Sequence, residues 1–283
     1  MKQWQMDTGT VMHGVFGDPI KHSKSPVMHN RAFRELGLNA AYAAFHIKPG
    51  QLKDAVAGIR AMQFRGVNVT IPHKLEVMDY LDDIHEDARA IGAVNTIVND
   101  DGKLTGFNTD GIGYVRSLKE EAGFAVAGKK VLMLGAGGAA RGVAYALAKE
   151  GAASVRIANR TVSKAEELAE AIRPFAPAEG MSYEAIADVR DEIDLIVHNT
   201  EVGMHPKVDE VLIDTSWFHE GLTVSDIVYN PLVTRLLREA EAKGAKTHGG
   251  LGMFVYQGAY AFEYWTGREA PIAAMREAVL EAF

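Results

Sequence analysis

Four short patches near the start of the chain collect hydrogen-bonding side chains at or just after expected strand ends. They are Ser23-Lys24-Ser25-Pro26, Asn68-Val69-Thr70-Ile71-Pro72-His73-Lys74, Gly92-Ala93-Val94-Asn95-Thr96 and Gly106-Phe107-Asn108-Thr109-Asp110-Gly111. Hydroxyls and carboxamides, in a chain without cysteine, suit a neutral, polyhydroxylated ligand. Lys74 and Asp110 form the titratable pair among them. Each residue also has a plainer reading. Lys74 could be a solvated charge, Asp110 the cap of a helix starting at Gly111, and Ser25 an N-cap. Ser23 could be a turn residue, and Asn68 and Asn95 could satisfy loop backbone.

A second kind of chemistry is written at Gly135-Ala136-Gly137-Gly138-Ala139-Ala140, which fits G-x-G-x-x-A. It follows the apolar run Val131 to Leu134 and precedes a helix pattern, where a backbone can approach a pyrophosphate. The helix N-terminus adds free N–H groups and partial positive charge. The next strand ends in Asn159-Arg160-Thr161, with Lys164 one turn into the following helix. A carboxylate there would accept from the ribose 2′-hydroxyl of NAD. Arg160 and Lys164 instead attract a 2′-phosphate, and Arg160 can lie flat on adenine. The expected cofactor is NADP.

The rest of the chain sets limits. With 30 Lys and Arg against 37 Asp and Glu, the net charge is −7. That argues against a general nucleic-acid partner, since phosphate backbones call for cationic surfaces. Hydrophobic residues at 47% and charged residues at 24% are ordinary for a globular chain. The lack of cysteine removes disulfides, thiolate nucleophiles and cysteine metal sites, and fits a reducing compartment. The ten histidines include no H-E-x-x-H spacing, so no metal is expected. Residues 1–9 carry no apolar run and no small-residue cleavage site, so no signal peptide is expected. No run of about 18 apolar residues occurs, so no membrane partner is expected. The expected setting is cytoplasmic.

The elements that must position these residues alternate. Strands are expected at Val11 to Phe16, Tyr42 to Ile47, Gly66 to Ile71, Ala93 to Asn99 and Leu104 to Asn108, the last two joined by an Asp101-Gly102 turn. Helices are expected from Ser25-Pro26 to Gly37 and from Gln51 to Met62. A junction helix, Gly111 to Glu121, leads to strands at Val131 to Leu134, Ser154 to Ala158, Leu195 to His198 and Val224 to Ile227. Helices Ala139 to Lys149 and Ser163 to Ile172 lie among them. Such alternation means a parallel sheet with helices on both faces. The last 50 residues or so read as mostly helical. The fold class is α/β with two units, and a cleft between them is the natural ligand site.

Here the sequence resembles the shikimate dehydrogenase family. The four patches match its signature segments, as do Gly135 to Arg141, Asn159-Arg160-Thr161, Val202-Gly203-Met204, Tyr229-Asn230-Pro231 and Gly250-Leu251-Gly252-Met253 with Gln257. They run in order from about Gly14 to Gly267. The resemblance implies NADP-dependent, reversible reduction of 3-dehydroshikimate to shikimate, a step of aromatic amino-acid biosynthesis. It implies an N-terminal α/β substrate domain (1–110, completed by about 250–283) and a Rossmann-type doubly wound NADP domain (111–249). The C-terminal helices pack back on the first domain.

By the same resemblance, Lys74 and Asp110 are the catalytic pair. Ser23 and Ser25 bind the substrate carboxylate, with Tyr229 helping. Asn68, Thr70, Asn95, Asp110 and Gln257 hold the ring hydroxyls. Gly135, Ala136, Gly137, Gly138, Ala139, Asn159, Arg160, Thr161, Lys164 and Gly250 bind the cofactor. Hydride transfer to a ketone builds charge on oxygen and calls for a proton donor beside it. The Lys74 ammonium can donate. Burial would lower its pKa and Asp110 would raise it.

Three positions depart from the family pattern: His198, Glu201 and His248. They bear on cofactor affinity and loop closure rather than on reaction class. Alternatives are a quinate/shikimate dehydrogenase with relaxed substrate or cofactor choice, and a non-catalytic NADP-binding sensor. The expected partner is a small molecule, and the expected assembly is a monomer or a homodimer.

Overall fold

The structure is a computed structural model that describes residues 6–283. The expectation of no signal peptide at residues 1–9 therefore lies partly outside the described residues. The chain forms two compact units, Met1–Thr109 with Val255–Phe283, and Asp110–Phe254.

In the first unit, β1 (Val11–Gly17), β2 (Ala40–His46) and β3 (Gly66–Val69) run parallel, linked by α1 (Ser25–Glu35) and α2 (Leu52–Ala61). β4 (Asp83–Ile84), α3 (Glu86–Ile91), β5 (Thr96–Asp100) and β6 (Lys103–Phe107) follow. β5 runs antiparallel to both β3 and β6, giving the order β2-β1-β3-β5-β6-β4. This sheet is therefore mixed rather than parallel. The Asp101-Gly102 turn reverses the chain, with φ of 48° and 95° at its two residues, the left-handed pair that a tight hairpin requires.

α1 begins at Ser25 itself, with Lys24 before it and no side-chain cap, so Ser25 is not the N-cap. Its hydroxyl stays available for other work. Met28, His29, Ala32 and Phe33 form the helix's buried face. Beneath α2, the core gathers Phe16, Leu52, Val56, Ile59, Val67, Ile97 and Leu104.

The second unit opens with α4 (Asp110–Ala122). It continues through β7 (Lys130–Leu134), α5 (Gly138–Lys149), β8 (Ser154–Ala158), α6 (Val162–Ile172) and β9 (Ala178–Met181). Next come β10 (Leu195–His198), β11 (Thr223–Asp226), α7 (Arg235–Ala242), β12 (Lys246–His248) and α8 (Gly250–Thr266). The six strands are all parallel, in the order β12-β11-β10-β7-β8-β9. That is the doubly wound arrangement whose strand order reverses beside the first strand, here between β7 and β10. β7, β10 and β11 are buried throughout apart from Lys130, as strands covered on both faces must be.

Finally α9 (Ile272–Glu281), with the last part of α8, returns to the first unit and packs on α1. No helix among the described residues is long and apolar enough to cross a membrane.

Candidate functional site

In the first unit, β3 places Asn68 next to Val15 of β1 and opposite Thr96 of β5. Its carboxamide is held on two sides. Nδ2 donates to the Asn95 carbonyl at 3.2 Å and to Thr96 Oγ1 at 3.1 Å. Oδ1 accepts from the Tyr42 phenol at 2.7 Å. Asn95, just before β5, holds the 108–109 segment in place. Its Oδ1 accepts from the Thr109 N–H at 2.9 Å, and its Nδ2 donates to Thr109 Oγ1 at 2.9 Å. Asn68 and Asn95 thus share one buried hydrogen-bond network. Thr109 ends this unit, and Asp110, the first residue of α4, is buried.

Thr70 and Lys74 follow β3 on a turn. The Thr70 N–H donates to the Phe16 carbonyl at 2.9 Å, and the Lys74 carbonyl accepts from the Val94 N–H at 2.8 Å. Lys74 is half-buried, unlike a fully solvated charge. Ser23 Oγ accepts from the Ser25 N–H at 3.3 Å. Ser25 is buried against Tyr42, whose phenol burial pushes well above its usual pKa, with the Ser25 hydroxyl pulling the other way. Ser25 and Asn68 are therefore brought together around Tyr42, and Asn95 joins them through Asn68. Gln257 lies half-buried on α8.

In the second unit, the chain leaves β7 through Gly135 at φ +103°. A Cβ there would lie 2.8 Å from both the Asn199 carbonyl and the Thr200 methyl. Only glycine allows the turn and the approach together. Gly137 is the exposed N-cap of α5, with no side-chain cap and open space where a Cβ would stand. Uncapped N–H groups at an open helix start suit a pyrophosphate. Ala136, Gly138 and Ala139 are only half-buried around it.

Arg160, Thr161 and Lys164 are all exposed at the end of β8. Neither cation forms an ion pair among the described residues. Asn159 Nδ2 donates to the Thr161 carbonyl at 2.9 Å and shapes that corner. A cradle that excludes a Cβ, an open helix start and two uncommitted cations fit an NADP phosphate set. Gly250 is buried where a Cβ would lie 2.2 Å from the Ile227 carbonyl, so its place is fixed by packing of α8 on the chain after β11. Tyr229 stacks on Phe254 at 4.4 Å, and burial raises its phenol pKa.

A second buried network reaches the same switch point. His198 Nδ1 lies 2.9 Å from Asp226 Oδ1, and its Nε2 lies 2.6 Å from Thr200 Oγ1. Asp226 also accepts from the Val228 N–H at 2.9 Å and the Thr234 hydroxyl at 2.7 Å. His248 sits between Ser117 Oγ at 2.7 Å and Ser225 Oγ at 2.8 Å. Two of the sequence departures, His198 and His248, are thus buried polar anchors, whereas Glu201 is exposed. The residues missed from sequence are Tyr42 and Asp226. Nothing in a lone tyrosine inside an apolar strand, or an aspartate ending one, marks such a partner.

Comparison with known proteins now bears on these two constellations. Residues 15–97 match a shikimate dehydrogenase substrate-binding domain, 117–214 a shikimate/quinate 5-dehydrogenase domain, and 250–280 a shikimate 5′-dehydrogenase C-terminal domain. A shikimate dehydrogenase (NADP(+)) of Methanopyrus kandleri is 51% identical over 98% of this chain and 97% of its own length. The chain belongs to the shikimate dehydrogenase family.

A second member of the family, from Geobacillus kaustophilus and also named shikimate dehydrogenase (NADP(+)), is 47% identical over 96% of this chain and 98% of its own. The crystal structure of a shikimate dehydrogenase in complex with NADP+ superposes with a TM-score of 0.92 at 45% identity, covering 98% of this chain and 97% of that one. The shikimate dehydrogenase fold, a mixed-sheet unit and a Rossmann-type unit, is the fold described above.

Proposed function

We propose that this chain catalyses the NADP-dependent, reversible interconversion of 3-dehydroshikimate and shikimate. The observation that carries this reading is the buried Asn68–Asn95 carboxamide network, with Ser25, Thr70 and half-buried Lys74 on the same unit of a shikimate dehydrogenase fold. NADP, when bound, supplies the nicotinamide carbon that exchanges the hydride.

Gly135 to Ala139 and Gly250 would hold its backbone, and Asn159, Arg160, Thr161 and Lys164 its 2′-phosphate end. Ser23 and Ser25, with Tyr229, bind the ligand carboxylate. Asn68, Thr70, Asn95 and Gln257 bind ring hydroxyls. Lys74 gives or takes the proton at the C3 oxygen, and Asp110 orients substrate and lysine. A positioned acid–base group is worth roughly 10²- to 10⁴-fold in rate, and that is the loss expected for Lys74→Ala. The enzyme is proposed to work in the cytoplasm as a monomer or a homodimer.

The deciding assay follows reduced-nicotinamide absorbance after addition of shikimate with NADP, and separately with quinate and with NAD. Rapid reduction with shikimate and NADP is expected. No change from a folded, NADP-binding protein would make it a sensor instead. Comparable rates with quinate would make it a quinate/shikimate dehydrogenase. Near-normal turnover by Lys74→Ala would remove the lysine from the chemistry.

A further inference from the structure

Tyr42 has no role in the reading above, yet it is the residue that fixes how Asn68 faces a ligand. The Asn95 carbonyl can only accept a hydrogen bond, so the Asn68 atom 3.2 Å from it must be Nδ2. Thr96 Oγ1 takes the second proton of that amide. Oδ1 is thereby turned to the phenol, which donates at 2.7 Å.

The phenol is itself held by its surroundings. Tyr42 is 3% exposed. Its ring stacks on His29 with centroids 4.5 Å apart and planes 13° from parallel. Its backbone is held at both polar groups by Asn30, whose Nδ2 donates to the Tyr42 carbonyl and whose Oδ1 accepts from the Tyr42 N–H, each at 2.9 Å. Burial keeps the phenol protonated and therefore a donor.

We infer that Tyr42 is a positioning residue of the substrate site that makes Asn68 an acceptor-only contact, selecting a ligand hydroxyl that donates its proton. Both protons of the Asn68 amide are committed within the protein, and one lone pair of Oδ1 is committed to Tyr42. The second lone pair is what Asn68 offers. It rejects a group that can only accept, such as a ketone, an ether or a fluorine. This inference rests on the proposed shikimate reading and adds to it the polarity of one contact.

The test is a double-mutant cycle with steady-state kinetics and calorimetric titration of shikimate. Tyr42→Phe keeps the ring stacked on His29 and deletes the donor to Asn68 together with the phenol's contact to the Ser25 hydroxyl. It is expected to raise the shikimate KM and Kd about 5- to 10-fold, the scale of one neutral hydrogen bond. The NADP KM and the melting temperature are expected to stay within twofold and about 2 °C. In an Asn68→Ala background the same change should lose most of its effect, because the group it orients is gone and only the Ser25 contact remains to be removed.

Fluorine replacing the hydroxyl that Asn68 contacts should weaken binding to the wild type as much as deleting that hydroxyl. Analogues fluorinated at each ring position in turn identify it, and the penalty should vanish in Asn68→Ala. Equal additive losses in the cycle, a lowered melting temperature with unchanged KM, or full binding of every fluoro analogue would each overturn the inference. A large KM effect of Asn68→Ala with a silent Tyr42→Phe overturns the inference alone. A wild-type protein that neither binds nor oxidises shikimate overturns the functional reading, and the inference with it.

Discussion

The indole N–H of Trp265 donates to the Ile97 carbonyl at 2.9 Å, tying α8 to the β5 strand of the first unit. The bond passes over Gly66. A Cβ on that residue would lie 2.1 Å from the indole nitrogen and 2.4 Å from the Ile97 carbonyl. Gly66→Ala must therefore push the indole away, break a buried hydrogen bond and strain the β3–β5 pairing. Overpacking costs about 1–3 kcal/mol and an unpaired buried polar group a similar amount. A loss of about 2–4 kcal/mol in urea unfolding is expected. A change below about 0.5 kcal/mol, the scale of an ordinary surface substitution, would mean that α8 does not depend on this contact.

Acid should loosen the same region. His13 and His29 are buried among Phe33, Tyr42 and Trp265; among the described residues no hydrogen-bond partner meets either ring nitrogen of His29, and the Val11 and Ala41 backbone beside His13 offsets only part of its burial. Burial pushes the His13 pKa down to about 4, and burial, with His13 close by, pushes that of His29 down to about 3. Their unfolded values lie near 6.5. Between these limits the unfolded chain binds more protons than the folded one, so stability rises with pH. It is complete above about pH 7 and is lost as pH falls from 6.5 towards 4, by roughly 3 kcal/mol for each group at pH 4. Melting temperatures from pH 7.5 to 4.5 should fall steeply, and His29→Phe should flatten the slope. A variant with the wild-type slope would place the acid sensitivity elsewhere.

Much of this was legible in the sequence, and what was missed has physical reasons. The Gly135 turn and the Asp101-Gly102 hairpin show because few residues tolerate their backbone angles. β7 and β10 show because strands covered on both faces need apolar runs, here Val131 to Leu134 and Leu195 to Val197, and β8 shows by its alternating Val155 and Ile157. β12 (Lys246–His248) and β9 (Ala178–Met181) were missed because three or four residues of mixed character carry no period. β9 also contains Gly180, where a Cβ would lie 2.3 Å from the Glu166 backbone nitrogen. The antiparallel β3–β5 pairing depends on strands far apart in sequence. The site residues show as polar types at strand ends, but their partners do not. Tyr42 and Asp226 act through contacts that only the folded chain creates.

The His198–Asp226 contact gives the next expectation. Both side chains are essentially inaccessible, and His198 connects the carboxylate to Thr200, which sits against Gly135. His198→Ala leaves the Asp226 carboxylate with only Val228 and Thr234 as partners. Losing a buried hydrogen bond to a carboxylate costs about 1.5–3 kcal/mol. It also frees the turn after β10, so the NADP KM should rise while the shikimate KM holds. His198→Gln, which keeps a donor and an acceptor, should recover part of both. A KM effect confined to shikimate would contradict this placement.

The proposed roles of Arg160 and Lys164 as readers of the 2′-phosphate give the last expectation. Both are exposed at the end of β8 without an ion pair among the described residues, so each can meet a 2′-phosphate at little desolvation cost. Charge-assisted hydrogen bonds are worth about 1.5–3 kcal/mol. Arg160→Ala should therefore raise the NADP KM by about 10- to 100-fold and leave the NAD KM within about twofold. Lys164→Ala should do less, because a flexible ammonium lacks the planar fork and cannot stack on adenine. Added salt should weaken NADP binding in the wild type and much less in the double variant, since screening acts only on the charges that remain. Steady-state kinetics with both cofactors at two ionic strengths measures all of this. Equal losses for NAD and NADP would show that Arg160 shapes the β8 corner rather than reading the phosphate.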